Sequence, residues 1–316
     1  MEAAILYLVV TACSFPFLGI YNSAAAQFRA MGRTSVTMAV SALMNIMNII
    51  GDFVGVYLLD AGVLGVAVPT LISRAAAALI MAALAFHPKN EVRLTWGNIL
   101  HWDGEAISQI LHIAVPNGLE NGLFALGKVL VTSIVAQFGT IQIAANGVAN
   151  SIDQIAIVVV NAVNLAIITV VGQCEGAKEH EQAEHYTKKL MHISYVSTAV
   201  LSGVVCLLLR FYRLEPETLR LAAGLIVLHN VLAILLHPTS FNLANSLRAA
   251  GDVRFTMYVG IVSMVVFRLG SAVLFGVVLR LGVLGVWIAM ETDWLARSIA
   301  FSHRYRGKRW TQFQVI

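Results

Sequence analysis

"QFRAMGRTSVTM" at residues 27–38 and "SLRAAGDVRFTM" at residues 246–257 are two writings of one turn. Arg29, Ala30 and Gly32 stand against Arg248, Ala249 and Gly251, and Thr37-Met38 against Thr256-Met257. The register runs on to Gly51 and Gly270, and after one inserted residue "GVLGV" at 62–66 meets "GVLGV" at 282–286. A match this long is an internal duplication. Each turn also carries the chemistry of a helix terminus. Its glycine can take the left-handed conformation that ends a helix, and the preceding arginine complements the negative end of the helix dipole. The duplicated unit is therefore a helical hairpin.

The flanks of both turns are apolar on a membrane scale. The chain of 316 residues is 58% hydrophobic and 12% charged, with a mean hydropathy of +0.78; soluble domains carry about a quarter charged residues. Residues 3–28, 129–152, 154–174, 190–209 and 221–247 contain no Asp, Glu, Lys or Arg. About 20 apolar residues cross the hydrocarbon core as a helix, and only helices or closed barrels satisfy the backbone there. The runs are continuous rather than alternating, which excludes barrel strands. The fold class is an all-α polytopic membrane protein. Cys13, Cys174 and Cys206 have no paired spacing, so neither a metal motif nor a disulfide framework is expected. The start, "MEAAILYLVV", lacks a basic leader and reads as the beginning of a spanning helix.

Nine transmembrane helices are placed at 3–28, 35–59, 63–86, 106–138, 142–172, 190–209, 219–247, 255–279 and 283–302. With the N-terminus outside, the inner loops and tail hold Arg29, Arg33, Lys89, Arg93, Lys178, Lys188, Lys189, Arg248, Arg254, Arg304, Arg306, Lys308 and Arg309. The outer loops hold only Arg210, Arg213, Arg220 and Arg280. This asymmetry places the basic tail, 304–316, in the cytoplasm, and explains the net charge of +4 without a nucleic-acid partner. Six spans separate the two turns, so the repeats run parallel, an architecture of transporters with the substrate site between the halves. Four spans precede the turn in the second copy and one in the first, as if three helices were missing from the front. The domains follow: 1–86 as a three-helix remnant of an N-terminal lobe, 87–105 as a cytoplasmic linker, and 106–303 as a six-helix C-terminal lobe.

"IAVPNGLENGLFALGKVLVTSIVAQFGTIQIAANGVAN", "ITVVGQCEGA", "SLRAAGDVRFTM" and "LGVLGVWIAMETDW" resemble the C-terminal lobe of MATE (multidrug and toxic compound extrusion) transporters. "LMNIMNIIGD", residues 43–52, resembles the end of their N-terminal lobe. The resemblance spans the chain as helices four to twelve of a twelve-helix fold, N-terminally truncated. It implies an antiporter, not an enzyme, that exports organic cations, drugs or other amphipathic molecules by alternating access. Coupling would be to H⁺ or Na⁺, with no cofactor and no metal beyond Na⁺ near Glu120. The expected partners are a small organic substrate and the bilayer, with no nucleic acid. The expected setting is the plasma membrane (the inner membrane of a bacterium), and the expected state is a monomer.

Candidate site residues are the polar groups that spanning helices cannot leave in lipid. Asn117, Glu120, Asn121, Phe124 and Lys128 recur at helical spacing on one face. An ionised group at mid-bilayer costs about 3 kcal/mol on insertion scales and seldom faces lipid. Glu120 is thus expected either in a polar cavity or in a buried pair with Lys128, and Pro116 one turn earlier can free a carbonyl. Asn146, Asn150, Asp153, Asn161 and Asn164 form a second stripe, which either lines a water-filled lumen or bonds neighbouring helices. His237 precedes Pro238 where some MATE proteins carry an acidic residue. A histidine there suits H⁺ better than Na⁺ coupling, the alternative being a structural role. Arg268, Glu291, Asp293 and Arg297 form a structural ion network or a gate, with Asp293 and Arg297 paired at i,i+4 and Arg268 reaching Glu291 or Asp293.

Other patterns are decoys. "GLFALGKV", 122–129, lacks the Ser/Thr and the preceding strand of a phosphate loop, and "HEQAEH", 180–185, has the wrong histidine spacing for zinc. In the latter segment Glu184 and Lys188 suit an exposed pair on a solvated helix linking spans. The competing readings are a lipid-linked oligosaccharide flippase of related fold, with a more basic cavity; an intramembrane enzyme using Glu120, Asp153 and His237; and an inactive fragment. The acids and amides of the two stripes favour cationic substrates.

Overall fold

The charge-free runs fold as helices because lipid leaves the backbone no other partner. In the computed structural model, which describes residues 2–88, 90–92, 94–95, 97, 103–208 and 215–313, the described residues form nine helical rods and no strand. These are α1 (Ala3–Ala30), α2 (Thr34–Leu58), α3 (Leu64–Ala85), α4 (Gly104–Phe138), α5 (Thr140–Gly176), α6 (His180–Leu208), α7 (Pro216–Ala249), α8 (Val253–Val278) and α9 (Gly282–Arg306). All but α6 and α9 are long and apolar enough to cross a membrane by length and composition alone. The hydropathy of α9 is lowered by Glu291, Asp293 and Arg297, all buried. The rods follow the nine expected spans, with one difference: "HEQAEH" is not a separate linking helix but the first turns of α6. Lys89, Arg93, Arg210, Arg213 and the side chain of Cys206 lie outside the described residues, as does part of the 87–105 linker.

The chain divides into two units, residues 1–103 and 104–316. The first packs α1, α2 and α3 around Ala24, Ala25, Phe28, Val40, Ala77, Met81 and Ala85, where the four alanines let helices approach closely. Arg74 of α3 donates to Ser14 Oγ at 2.7 Å, where α1 is interrupted. The second packs α4–α9 around two clusters, one including Ile152, Leu225, Ile226 and Trp287, the other including Ile167, Leu243, Leu247 and Phe301. Large aliphatic side chains such as Leu8, Ile49, Leu79, Val158 and Leu235 point outward, as a lipid-facing surface requires.

The duplicated turn is the same object twice. Gly32 has φ +70° and Gly251 φ +89°. Arg33 N–H donates to Phe28 O at 2.9 Å, as Asp252 N–H does to Leu247 O at 2.9 Å. The identity persists at the far ends of the hairpins: Leu59 N–H donates to Val54 O at 3.0 Å and Leu279 N–H to Leu274 O at 2.9 Å, each closing a π-helical segment. The repeated "GVLGV" then brings two backbones together. A Cβ on Gly285 would lie 2.5 Å from the Phe275 carbonyl carbon, and one on Gly65 would lie 2.6 Å from that of Gly55. Gly285→Ala is therefore expected to destabilise the second unit by about 1–3 kcal/mol through overpacking. Gly224→Ala, with nothing within 4 Å, should leave thermal unfolding in detergent unchanged or raise its midpoint. Equal behaviour of the two variants would show that the hairpin contact is not tight.

Candidate functional site

Burying ionisable groups in a bilayer demands partners, and the second unit supplies them from five helices. On α4, Glu120 is 7% exposed. Both of its carboxylate oxygens accept from Arg248 Nη2 at 2.6 Å, and Arg297 Nη1 stands 3.8 Å away. Gly260 of α8 makes the room: a Cβ there would lie 2.5 Å from Glu120 Oε1. Arg248 belongs to the duplicated turn, so that turn also neutralises the acid of α4. Of the two expectations for Glu120, the buried pair is met with a different partner: Arg248, from the duplicated turn, stands where Lys128 was expected. A Na⁺ near Glu120 would need the place that Arg248 holds in this structure.

Asp293 of α9 is fully buried. It accepts from Ser263 Oγ, from Arg297 Nε at 3.0 Å and from Arg268 Nη1 at 3.2 Å. The i,i+4 pair is thus present, and of the two acids open to Arg268 the structure chooses Asp293. Arg297 also donates to Ser263 Oγ at 2.7 Å and Gly260 O at 3.2 Å. The ring of Phe124 gathers three cations, with Arg297, Lys128 and Arg268 at 5.1, 5.2 and 5.5 Å from its centroid.

Beside this network stands a group that sequence reasoning missed. His229 of α7, 2% exposed, lies with Nδ1 2.6 Å from Glu291 Oε1 of α9 and Nε2 2.9 Å from Asp153 Oδ1 of α5. Trp287 and Trp294 meet its ring edge-on, centroids 5.2 and 5.0 Å away. Asp153 therefore does not stand alone as the carboxylate of a lumen. A signal existed: His229 and His237 are the only titratable side chains of the charge-free run 221–247, and unpaired acids on two neighbouring spans needed a partner. His237 stacks on Phe241 at 4.5 Å and meets Trp294 at 4.9 Å; its Nδ1 is buried and has no hydrogen-bond partner among the described residues.

A cleft of about 210 Å³ opens between α4, α5, α8 and α9. Lys128, Asn146, Asn150, Gln154, Arg268 and Trp287 supply its polar lining. Asn146 accepts from Trp287 Nε1 at 3.0 Å, and Asn150 donates to Asn146 O at 2.8 Å. The lower stripe is not part of this cleft: Asn161 is exposed, and Asn164 Oδ1 is buried with no hydrogen-bond partner among the described residues. On α4, Asn117 and Asn121 each donate to a carbonyl of their own helix, Ile113 O at 3.1 Å and Asn117 O at 2.9 Å. Both acids expected to attract cations, Glu120 and Asp153, are bound to basic side chains, and the charged residues lining the cleft are Lys128 and Arg268. Among the described residues no three His, Cys, Asp or Glu are placed to hold a metal.

The charged end of this unit is held by one exposed and one part-buried pair. Lys188 Nζ donates to Glu184 at 2.6 Å and holds that carboxyl below its ordinary range. Arg304 donates to Asp252 at 2.7 and 3.2 Å, and this bond raises the guanidinium further.

Residues 116–274, half of the chain, match the MatE family. The chain is 28% identical over 322 residues to the uncharacterized transporter YisQ of Bacillus subtilis, covering 98% of this chain and 70% of YisQ. It is 23% identical over 311 residues to the probable multidrug resistance protein NorM of Thermotoga maritima, covering 96% and 66% respectively. The chain thus spans about two thirds of the length of these relatives. Among solved structures it superposes on a MATE P26A mutant with a TM-score of 0.86 at 22% identity, over 98% of this chain and 70% of that one. A MATE in complex with MaD3S gives 0.88 at 21% identity, over 99% and 71%. The enzyme reading is set aside, since the family and these relatives are transporters.

Proposed function

This chain belongs to the MatE family of multi-pass membrane transporters, and on that premise we propose that it is a cation-coupled antiporter exporting amphipathic small molecules, organic cations and drugs among them, by alternating access. The observation that carries this reading is the cleft. Its amides and the face of Trp287 offer hydrogen bonds and an apolar wall within one lining, the combination that small-molecule sites use. The proposed setting is a bacterial inner membrane, with the basic tail in the cytoplasm by the positive-inside rule and the protein acting as a monomer.

A second reading, that the substrate is an anionic or zwitterionic amphiphile, is favoured by one feature: the charged residues lining the cleft, Lys128 and Arg268, are both basic. Both readings are tested in proteoliposomes carrying the full chain, with ethidium as the cationic probe and cholate as the anionic one, under an imposed pH or Na⁺ gradient. Ethidium movement that depends on the gradient supports the first reading. Cholate movement that falls severalfold in Lys128→Gln supports the second, since removing a positive charge from the lining removes its attraction. Gradient-independent leakage of both probes would overturn the transport proposal.

A further inference from the structure

Asp153, His229 and Glu291 come from three different helices and meet inside the apolar body of the second unit. The geometry dictates how many protons they can hold. An ionised carboxylate only accepts, and a neutral imidazole donates from one nitrogen and accepts at the other. With one proton among the three groups, one ring nitrogen turns a lone pair toward a carboxylate oxygen at 2.6 or 2.9 Å. With two protons both contacts become hydrogen bonds, as an imidazolium between two carboxylates or as a neutral imidazole between a carboxylic acid and a carboxylate. A second observation points the same way: Glu291 Oε2 is buried and has no hydrogen-bond partner among the described residues. A carboxylate left half-satisfied in that position is costly while ionised, and a proton shared with His229 through Oε1 lowers that cost by neutralising the group.

We propose that Asp153, His229 and Glu291 form the proton-binding site through which this transporter is coupled to a pH gradient, with His229 carrying protons between the two carboxylates. The inference rests on the transport reading and names its coupling ion as H⁺. The proton enters and leaves at Asp153, whose side chain is 13% exposed against 6% for Glu291. Loss of one proton breaks one of the two bonds by which His229 ties α7 to α5 and α9. Directly beyond His237, α7 passes through Pro238 and a π-helical segment, Pro238–Asn242, where a helix can bend. Proton occupancy is thereby linked to the packing of α7.

The charges around the site are few. Arg268 of α8 acts on Glu291, Lys128 of α4 acts on Asp153, and on α7 itself His237 stands within electrostatic reach of His229. The part of α6 that packs on α7 offers the buried hydroxyls Ser194, Thr198 and Ser202, and residues 190–208 carry no charged side chain.

The two tryptophans against His229 report on it, because a protonated imidazole quenches indole emission. The test is a pH titration of tryptophan fluorescence on the full chain in lipid nanodiscs, in Na⁺ and again in K⁺. A single step between about pH 5 and 9 is expected in the wild type and should vanish in His229→Gln. Glu291→Gln, which preserves shape, should displace its midpoint by about one pH unit or more. A wild type without the step, a step that persists in His229→Gln, or an unmoved midpoint in Glu291→Gln overturns the site. A midpoint that shifts when Na⁺ replaces K⁺ overturns the choice of ion. Ethidium transport then separates the two layers of argument. Wild-type export driven by a pH gradient and lost in His229→Gln supports the coupling role. Equal export by both proteins removes that role and leaves the transport reading standing. A wild type that shows the step yet moves no probe removes the transport reading, and the coupling role with it.

Discussion

Asp293→Ala is expected to destabilise the second unit by about 3–5 kcal/mol, the range for breaking a buried ion pair from one side. The carboxylate is fully buried and holds two guanidiniums, Arg268 at 3.2 Å and Arg297 at 3.0 Å, with the Ser263 hydroxyl between them. Without it, two arginines that are 8% and 3% exposed remain in an apolar interior. The Phe124 ring lies 5.5 and 5.1 Å from them, but cation–π contacts return only about 2 kcal/mol each when desolvated. Arg297 keeps Ser263, the Gly260 carbonyl and a distant Glu120; Arg268 has no other carboxylate among its hydrogen bonds. Asp293→Asn keeps the shape and one acceptor and should lose markedly less. Chemical or thermal unfolding in detergent measures both. A loss below about 1 kcal/mol for Asp293→Ala, the value of an exposed pair, would show that water reaches the network.

The Arg248→Ala change should cost almost as much, about 3 kcal/mol, because Glu120 would keep only the 3.8 Å contact with Arg297. A double variant separates two explanations. If the cost is the stranded carboxylate, Glu120→Leu combined with Arg248→Met should regain most of it, since apolar replacement of a whole buried pair is often neutral or stabilising. If the cost is instead the loss of an arginine from the helix terminus, worth at most about 1 kcal/mol, the double variant should regain nothing. The coupling energy from this cycle is read on the same unfolding assay.

Much of the architecture was legible before any coordinates. The nine spans follow from long apolar runs with few or no charges, since each run is long enough to cross lipid and cannot remain unfolded there. The duplicated turn was equally plain, and its backbone recurs bond for bond, because glycine at a left-handed position and arginine before it are local requirements. The Asp293–Arg297 pair and the Glu184–Lys188 pair were legible for the same reason: one turn of helix sets both distances.

Partner choice between helices was not legible. Glu120 and Arg248 are separated by 128 residues, and Asp153 and His229 by 76; no periodicity along either helix states which faces meet. His237, beside its proline, drew attention that belonged to His229, because a local landmark was visible and a three-helix meeting point was not. Likewise the acids of both stripes argued for a cation-attracting cavity until packing placed a basic side chain on each.

The sequence by itself determined that this chain spans a membrane as paired hairpins, because apolar length and local capping are properties of contiguous residues. Only the tertiary structure decided which charges neutralise one another, which line the cleft and which histidine lies between two acids. Those outcomes depend on the rotation of each helix against its neighbours, and that rotation is set by side chains from several helices at once.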